Sequence, residues 1–133
     1  MESLKGEWKM ISSENFEEVM KKLGVGLLTR KIGATTKPNV RFEQNGDEWT
    51  MTTISAIKTH AIKFKLGEEF EEETIDGRKV RTTITIDGDK LVQTQKDKDN
   101  NNVVCVITRE IDAEGKLKTV ISSFFKSSHT LFK

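Results

Sequence analysis

The residue whose type and setting most strongly suggest chemistry is an arginine on an otherwise apolar face. In the run Val103, Cys105, Ile107, Arg109 and Ile111, alternate positions share one face of a strand, and Arg109 is the charged member. A guanidinium among apolar side chains is a rigid, permanently charged donor that suits a carboxylate. Alternatively, Arg109 faces outward and pairs with an acid on the next strand. The pattern leaves both interpretations open.

Other polar side chains alternate with apolar ones in the same way. Gln93 and Gln95 continue the apolar face of one strand, and Lys58 and His60 continue that of another. The apolar members of these faces are Leu91 in the first strand and Ile62, Phe64 and Leu66 in the second. Polar groups inside a protein need hydrogen-bond partners or water. The pattern therefore predicts an interior cavity that is partly polar.

Few residues support a catalytic alternative. His60 with Asp76, or Lys58 as an amine nucleophile, would serve an isomerase or a hydrolase. The sequence shows no Ser-His-Asp spacing, Cys-His pair, metal cluster or phosphate loop. His129 is the other histidine and has no evident partner, so His60 is interpreted as a wall residue. We expect no enzyme activity, no metal and no cofactor.

The single cysteine, Cys105, is interpreted as structural. It cannot form an internal disulfide, which fits a reducing compartment. Its neighbours Val104 and Val106 favour an inert buried thiol over a nucleophile.

Residues 15–33 are the part of the chain that reads as helix. An apolar stripe predicts a first helix that Asn15 caps with its side chain and Gly24 ends. The stripe consists of Phe16, Val19, Met20 and Leu23. A second short helix with apolar Leu27, Leu28 and Ile32 is expected to stop at Gly33, ahead of the extended Lys37–Pro38 step. Such a helix pair must lie on a sheet, because it is too small to form a core.

The rest of the chain reads as that sheet. Residues 5–11 predict a first strand, and strict alternation over residues 80–87 is typical of a strand with an inner and an outer face. Turn signals, each expected to close a hairpin, occur at Asn45-Gly46, Gly67, Asp76-Gly77, Asp87-Gly88, Asp99-Asn100-Asn101-Asn102 and Ala113-Glu114-Gly115. They divide the chain into about ten antiparallel strands, which must close to protect their edges. We predict an all-β fold: a ten-stranded antiparallel up-and-down β-barrel capped by a helix-turn-helix lid, in one domain spanning residues 1–133.

Composition narrows the function classes. Charged residues make up 32% of the chain, but the formal net charge is +1, which disfavours a nucleic-acid partner. No apolar run has the length of a signal peptide or a membrane span. We expect a cytoplasmic monomer.

Motifs along nearly the whole chain occur together and in a fixed order. They are Gly6-Glu7-Trp8-Lys9 with Ser13-Glu14-Asn15-Phe16, Met20-Lys21-Lys22-Leu23-Gly24-Val25 with Arg30-Lys31-Ile32-Gly33, Phe64-Lys65-Leu66-Gly67-Glu68-Glu69-Phe70, Asp76-Gly77-Arg78-Lys79-Val80, and Thr108-Arg109-Glu110. In this combination they resemble the intracellular fatty-acid-binding protein family, cytosolic lipid-binding proteins of the calycin superfamily.

The resemblance implies the same barrel in its β-clam form, with a water-containing cavity, a helical lid beside a portal, and reversible binding of a long-chain fatty acid or similar amphiphile. It makes Arg109 an inward cation for the carboxylate. Gln93 and Gln95, which the alternation places inside, are expected to help Arg109 compensate that charge. The other implied ligand-binding positions are Phe16, Met20 and Leu23 on the lid, Ile57, Lys58 and Asp76 at the portal, and Thr53, Ser55 and His60 on the wall. Ile57 stands where many members have an aromatic gate.

The C-terminus departs from the family pattern. Most members end in a strand carrying Arg-x-Tyr, whose two side chains bond to the ligand carboxylate. Alignment from Gly115 with a single-residue gap places Thr130 at the position of the arginine and Phe132 at that of the tyrosine. Both residues are expected to contact the ligand, but neither supplies the charged or phenolic group of the family pattern. Phe124-Phe125 does not supply the expected Gly-Asp type of turn, and the register of residues 117–133 stays open.

These features favour an intracellular carrier that binds a long-chain fatty acid inside the barrel and transports it through the cytosol. A second hypothesis is a lipid-binding protein with a structural or membrane-docking role, in which a basic lid approaches anionic lipid. The cations of that lid are Lys21, Lys22, Arg30 and Lys31. The third hypothesis, a small lipid-modifying enzyme, depends on His60 with Asp76, or on Lys58.

Overall fold

Alternation of apolar and polar residues builds most of the chain into antiparallel strands. The computed structural model describes residues 2–123 and 126–133. In chain order the elements are a 3₁₀ turn (Glu2–Leu4), β1 (Gly6–Glu14), α1 (Phe16–Lys22), α2 (Leu27–Thr35), β2 (Asn39–Asn45), β3 (Glu48–Ile54), β4 (Thr59–Lys65), β5 (Phe70–Glu73), β6 (Lys79–Asp87), β7 (Lys90–Asp97), β8 (Val103–Ile111), β9 (Leu117–Ser123) and β10 (Lys126–Phe132). The predicted all-β class, strand number and helix pair are confirmed.

The strands form a single antiparallel sheet in the order β4-β3-β2-β1-β10-β9-β8-β7-β6-β5. Pairing of β1 with β10 brings the two ends of the chain together and curls the sheet into a barrel. This pairing also carries β1 past the predicted end at Ile11 to Glu14, which lies opposite His129 beyond an irregularity in the ladder.

One predicted hairpin is wrong. Gly67 connects β4 to β5, but these strands form no ladder with each other, although both lie wholly within the described residues. The N–H of Gly67 instead donates to the carbonyl of Ile84 on β6, at 2.8 Å. The turn is therefore bonded to β6, next to the β5–β6 ladder, and a gap remains between β4 and β5.

The entry to the lid differs from the prediction. Asn15 precedes α1 with a left-handed φ of 61°, and its side chain makes no capping hydrogen bond. Its Nδ2 donates to the carbonyl of Ser127 on β10 at 2.9 Å. Asn15 therefore ties the lid to the barrel. Gly24 adopts a positive φ after α1, as predicted.

The second helix does not stop at Gly33 but continues to Thr35. The N–H and the hydroxyl of Thr36 both bond to the carbonyl of Ile32, at 3.1 and 2.7 Å, which supports the last turn. These bonds oppose the cost of a glycine inside a helix, which is about 1 kcal/mol relative to alanine. The extended Lys37–Pro38 step then ends the helix, as predicted.

The core has two parts. The barrel core is a cluster of buried side chains contributed by most of the strands: Leu4, Val40, Phe42, Trp49, Met51, Ile62, Phe64, Ile84, Leu91, Leu117 and Phe132. The lid cluster comprises Val19, Met20 and Val25, with Phe16, Leu23 and Ile121 packed against them. Ile121 lies on β9, so the lid closes one end of the barrel.

Pairing between the last two strands decides the register that the sequence leaves open. Lys126 lies opposite Ser123, and Phe132 lies opposite Leu117. β9 therefore ends at Ser123 and β10 begins at Lys126, and the predicted irregular turn at Phe124-Phe125 lies outside the described part of the chain.

Candidate functional site: a polar network inside the barrel

Arg109 points into the barrel. Its residue is 9% exposed, and it shares its buried face of β8 with Cys105 and Ile107. The ladder places Arg109 directly opposite Thr119 on β9. Of the two orientations compatible with the alternation, the structure has the inward one.

The guanidinium of Arg109 is held by a side-chain amide. Its Nη1 donates to Oε1 of Gln93 at 2.8 Å, and both groups are buried. Burial lowers the pKa of Arg109 from its ordinary value to about 10, and nearby Glu72 opposes that change. Arg109 therefore remains a cation at neutral pH.

A buried carboxylate, Glu72, lies at the centre of the site. Its Oε1 accepts from the Thr82 hydroxyl at 2.7 Å, from Gln93 Nε2 at 3.0 Å and from Gln95 Nε2 at 3.3 Å. Sequence reasoning missed Glu72, because it stands in the acidic run 68–73 that is typical of a solvated face. Alternation with Phe70 was the available signal, since positions 70 and 72 share a face.

The network continues to a second arginine. Arg78 Nη2 donates to Oε1 of Gln95 at 3.3 Å, and Arg78 Nε lies 2.6 Å from Oδ2 of Asp76. Both side chains are mostly buried. We call the connected set the interior polar network; its members are Arg109, Gln93, Glu72, Thr82, Gln95, Arg78 and Asp76.

The C-terminal strand places both of its predicted ligand positions inside the barrel. Thr130 and Phe132 are both buried. The Thr130 hydroxyl lies 3.2 Å from that of Ser13 on β1, so it helps close the barrel and makes no hydrogen bond to Arg109. The hydroxyls of Thr119 and Ser128 are buried and have no hydrogen-bond partner in the protein.

The predicted lid residues gather in the lid cluster. Met20 is buried, and Phe16 and Leu23 are partly buried against it and Ile121. On β9, Ile121 lies two positions nearer the lid than Thr119, the partner of Arg109. Phe16, Met20 and Leu23 thus cover the end of the barrel nearest Ile121, and the interior polar network lies farther inside.

The residues predicted at the portal differ in exposure. Ile57 is 68% exposed, whereas Asp76 is mostly buried in its ion pair with Arg78. Lys58 Nζ reaches the carbonyl of Ile75 at 3.4 Å, which joins the β3–β4 and β5–β6 turns. The alternation that placed Lys58 inside is wrong, because β4 begins at Thr59 and Lys58 is exposed in a turn.

The residues predicted on the wall lie partly on strands and partly in a turn. Thr53 lies opposite His60, and both are half-buried. Ser55 belongs to the β3–β4 turn, where its hydroxyl bonds to the backbone of Lys58. Leu66 is exposed and not inward, since β4 ends at Lys65.

A cavity of about 290 Å³ lies at the gap between β4 and β5. Its lining includes His60, Ile62, Phe70 and Glu72. The Nε2 of His60 is buried without a hydrogen-bond partner in the protein. Within the described residues, no three His, Cys, Asp or Glu side chains are grouped so that they could hold a metal ion.

The basic surface of the lid is smaller than the sequence predicts. Lys21 and Lys22 are exposed. Arg30 is half-buried and its Nη1 donates to the carbonyl of Val25 at 2.7 Å, while Lys31 pairs with Glu17 at 3.4 Å. Arg30 therefore holds the connection between the helices together.

The thiol of Cys105 is predicted to be unreactive in the native protein. Burial raises its pKa from 9.0 to about 11, although Arg78 and Arg109 oppose the change. Because the thiolate is the nucleophile, we expect labelling by a disulfide dye at pH 8 to be at least about a hundredfold slower in the native than in the urea-unfolded protein. Labelling should accelerate as the pH approaches 11. Equal rates in both states at pH 8 would show that the thiol is accessible and ionised.

An up-and-down barrel with a helical lid and an inward polar network belongs to the class of small β-barrels that enclose ligands. The chain is a member of the lipocalin/cytosolic fatty-acid binding protein family, whose profile matches residues 5–131. This confirms the resemblance seen in the motifs. No helix in the described part of the chain has the length and apolar content needed to span a bilayer.

Individual relatives agree with this assignment. Fatty acid-binding protein homolog 5 of Caenorhabditis elegans is 42% identical over 122 residues, covering 92% of this chain and 89% of the relative. The 14 kDa fatty acid-binding protein of Schistosoma mansoni is 46% identical over 121 residues, covering 90% and 89%. A solved Schistosoma mansoni fatty acid binding protein in complex with arachidonic acid superimposes with a TM-score of 0.91 at 42% identity, covering 100% of this chain and 96% of that one.

Proposed function

We propose that this protein is an intracellular carrier that binds a long-chain fatty acid or similar amphiphile inside the barrel and releases it unchanged. The observation that carries the proposal is the buried Arg109, a cation inside a barrel whose relatives are named fatty acid-binding proteins. The structural neighbour in complex with arachidonic acid supports the same ligand class. Membership of a lipid-binding family favours a carrier over an enzyme.

Binding would draw on two physical effects. Transfer of the acyl chain from water to an apolar environment contributes about 0.8 kcal/mol per CH₂ group. The headgroup needs compensation, because an unpaired charge is costly inside a protein. Arg109 supplies a charge-assisted donor, and Gln93, already bonded to it, supplies an amide.

A labelled ligand tests the proposal against its alternatives. Delipidated protein is incubated with isotopically labelled oleic acid, separated from free lipid, and extracted for mass spectrometry. We expect labelled acid to be retained in a fixed ratio to protein and recovered unchanged. Recovery of a modified lipid would indicate an enzyme. If the protein retains no lipid, a structural role is the remaining hypothesis.

Contact with anionic membranes is the second part of the proposal. Lys21 and Lys22 are exposed on the lid, and α2 presents Leu27 and Leu28, the latter 74% exposed. Exposed apolar residues beside cations suit the surface of an anionic bilayer, where each cation contributes about 1 kcal/mol. We propose that the lid docks there during transfer, with the protein acting as a monomer.

Replacement of Lys21 and Lys22 by glutamine should slow transfer of ligand to anionic vesicles. It should also flatten the salt dependence of the rate, because the attraction is screened within a Debye length of about 10 Å at 0.1 M salt. Arg30 is left unchanged because it bonds to Val25. Stopped-flow transfer of a fluorescent fatty acid measures the rate.

A matched control places the same substitutions at Lys65 and Lys90, which lie at the strand ends opposite the lid. The control should transfer ligand at the wild-type rate. If both double variants transfer at that rate, the lid lysines form only a solvated surface.

A further inference from the structure

The interior polar network contains equal numbers of cations and anions before a ligand enters. Its cations are Arg109 and Arg78, and its anions are Glu72 and Asp76. Gln93 joins Arg109 to Glu72, Gln95 joins Glu72 to Arg78, and Arg78 contacts Asp76 directly. Two guanidinium groups and two carboxylates have formal charges that cancel. The network therefore has no excess cation to neutralise an incoming anion.

An ionised carboxylate beside Arg109 would approach a like charge. Arg109 and Glu72 contact the two ends of the same Gln93 amide, with donor-acceptor distances of 2.8 and 3.0 Å. A carboxylate there would leave the buried region with net negative charge, which is unfavourable in a low-dielectric interior. The last strand supplies no further cation at position 130, because the residue there is Thr130, whose hydroxyl lies beside that of Ser13.

The surroundings of Arg109 also suit an uncharged headgroup. Thr119 lies directly opposite Arg109 and is 6% exposed, while Ser128 lies opposite Ile121 farther along the barrel wall and is 0% exposed. Their hydroxyls have no hydrogen-bond partner in the protein. Each hydroxyl can donate to a carboxylate, but only a headgroup that also donates, such as an alcohol or an amide, can use the hydroxyl's acceptor lone pairs as well.

We infer that this barrel binds long-chain lipids with an uncharged polar headgroup, such as a primary alcohol or a primary amide, at least as tightly as the ionised acid of the same chain. The inference rests on the proposed carrier function and widens its ligand class. Glu72 sets the relative affinity for charged and uncharged headgroups, because it is the anion joined to Arg109 through a single side chain, that of Gln93.

The test compares oleic acid with oleyl alcohol, which share a chain and differ in headgroup charge. Dissociation constants at neutral pH are measured by displacement of a fluorescent probe from delipidated wild-type protein and from Glu72→Gln. For the wild type we expect the alcohol to bind at least as tightly as the acid. Glu72→Gln keeps an acceptor oxygen but removes the charge, so it should tighten acid binding about tenfold, equivalent to 1.4 kcal/mol, and change the alcohol by less than about twofold.

Two further variants make the test specific. Glu71→Gln removes the same charge from the neighbouring exposed position of β5 and should leave both affinities unchanged. Thr130→Arg adds a cation and leaves Glu72 in place, so it should also favour the acid. It keeps the test decisive if Glu72→Gln fails to fold.

Two outcomes would overturn the inference, and they are distinguishable. If the acid binds wild type about tenfold more tightly than the alcohol and neither charge variant shifts that ratio, the charge balance does not select the headgroup while the carrier function stands. If neither lipid displaces the probe, the proposed carrier function fails as well.

Discussion

Replacement of Arg109 by alanine is expected to weaken binding of a free long-chain fatty acid by about 1.5 to 3 kcal/mol, the range for a hydrogen bond to a charged group. The reason is that Arg109 is the buried cation bonded to Gln93, and its loss leaves the interior polar network with net negative charge. A methyl ester of the same acid should bind wild type and variant nearly alike. Isothermal titration calorimetry with this acid-ester pair separates the charge effect from packing of the tail.

Arg109→Gln is the matched control, because glutamine keeps a donor for Gln93 and removes the charge. It should weaken the acid nearly as much as alanine does and leave the ester unaffected. Equal losses for acid and ester would mean that Arg109 supports the fold and does not contact the headgroup. If neither affinity changes, the headgroup lies elsewhere, for example at the portal beside Ile57 and Lys58.

Replacement of Glu72 by alanine should lower the free energy of unfolding by about 3 to 5 kcal/mol, as expected when one partner of a buried ionic arrangement is removed. The substitution leaves donors on Thr82, Gln93 and Gln95 without their shared acceptor. It also leaves the network with more cations than anions. Urea unfolding, followed by the fluorescence of the tryptophans, measures the change.

Two substitutions on the same strand serve as controls. Glu71→Ala removes an exposed carboxylate next to the site and should change stability by less than about 0.5 kcal/mol. Glu72→Gln keeps an acceptor for the three donors and should cost clearly less than Glu72→Ala. If Glu72→Ala is as mild as Glu71→Ala, the carboxylate does not organise the barrel interior.

Local patterns were sufficient to predict most of the barrel. Strict alternation placed Gln93 and Gln95 on a buried face, because the two-residue period of a strand holds wherever the strand continues. The same rule failed at Lys58 and Leu66, which lie just beyond the two ends of β4. Alternation cannot show where a strand stops, since its ends depend on pairing with a neighbour.

The site itself could be predicted only in part. Arg109 stood out because it interrupts an apolar face, but Glu72 lies among other acids and is distinguished by tertiary contacts with Thr82 and Gln93. Asn15 had the residue type of a helix cap, yet its side chain bonds to Ser127, far away in the sequence. Such long-range partners are set by the closure of the barrel.

A crystal structure of the protein with bound oleic acid tests the central claim most directly. We expect one acyl chain inside the barrel, its headgroup about 3 Å from a nitrogen of Arg109 or Gln93, and its tail directed toward the lid cluster. A headgroup at the portal beside Ile57 and Lys58, or a chain bound outside the barrel, would contradict this expectation.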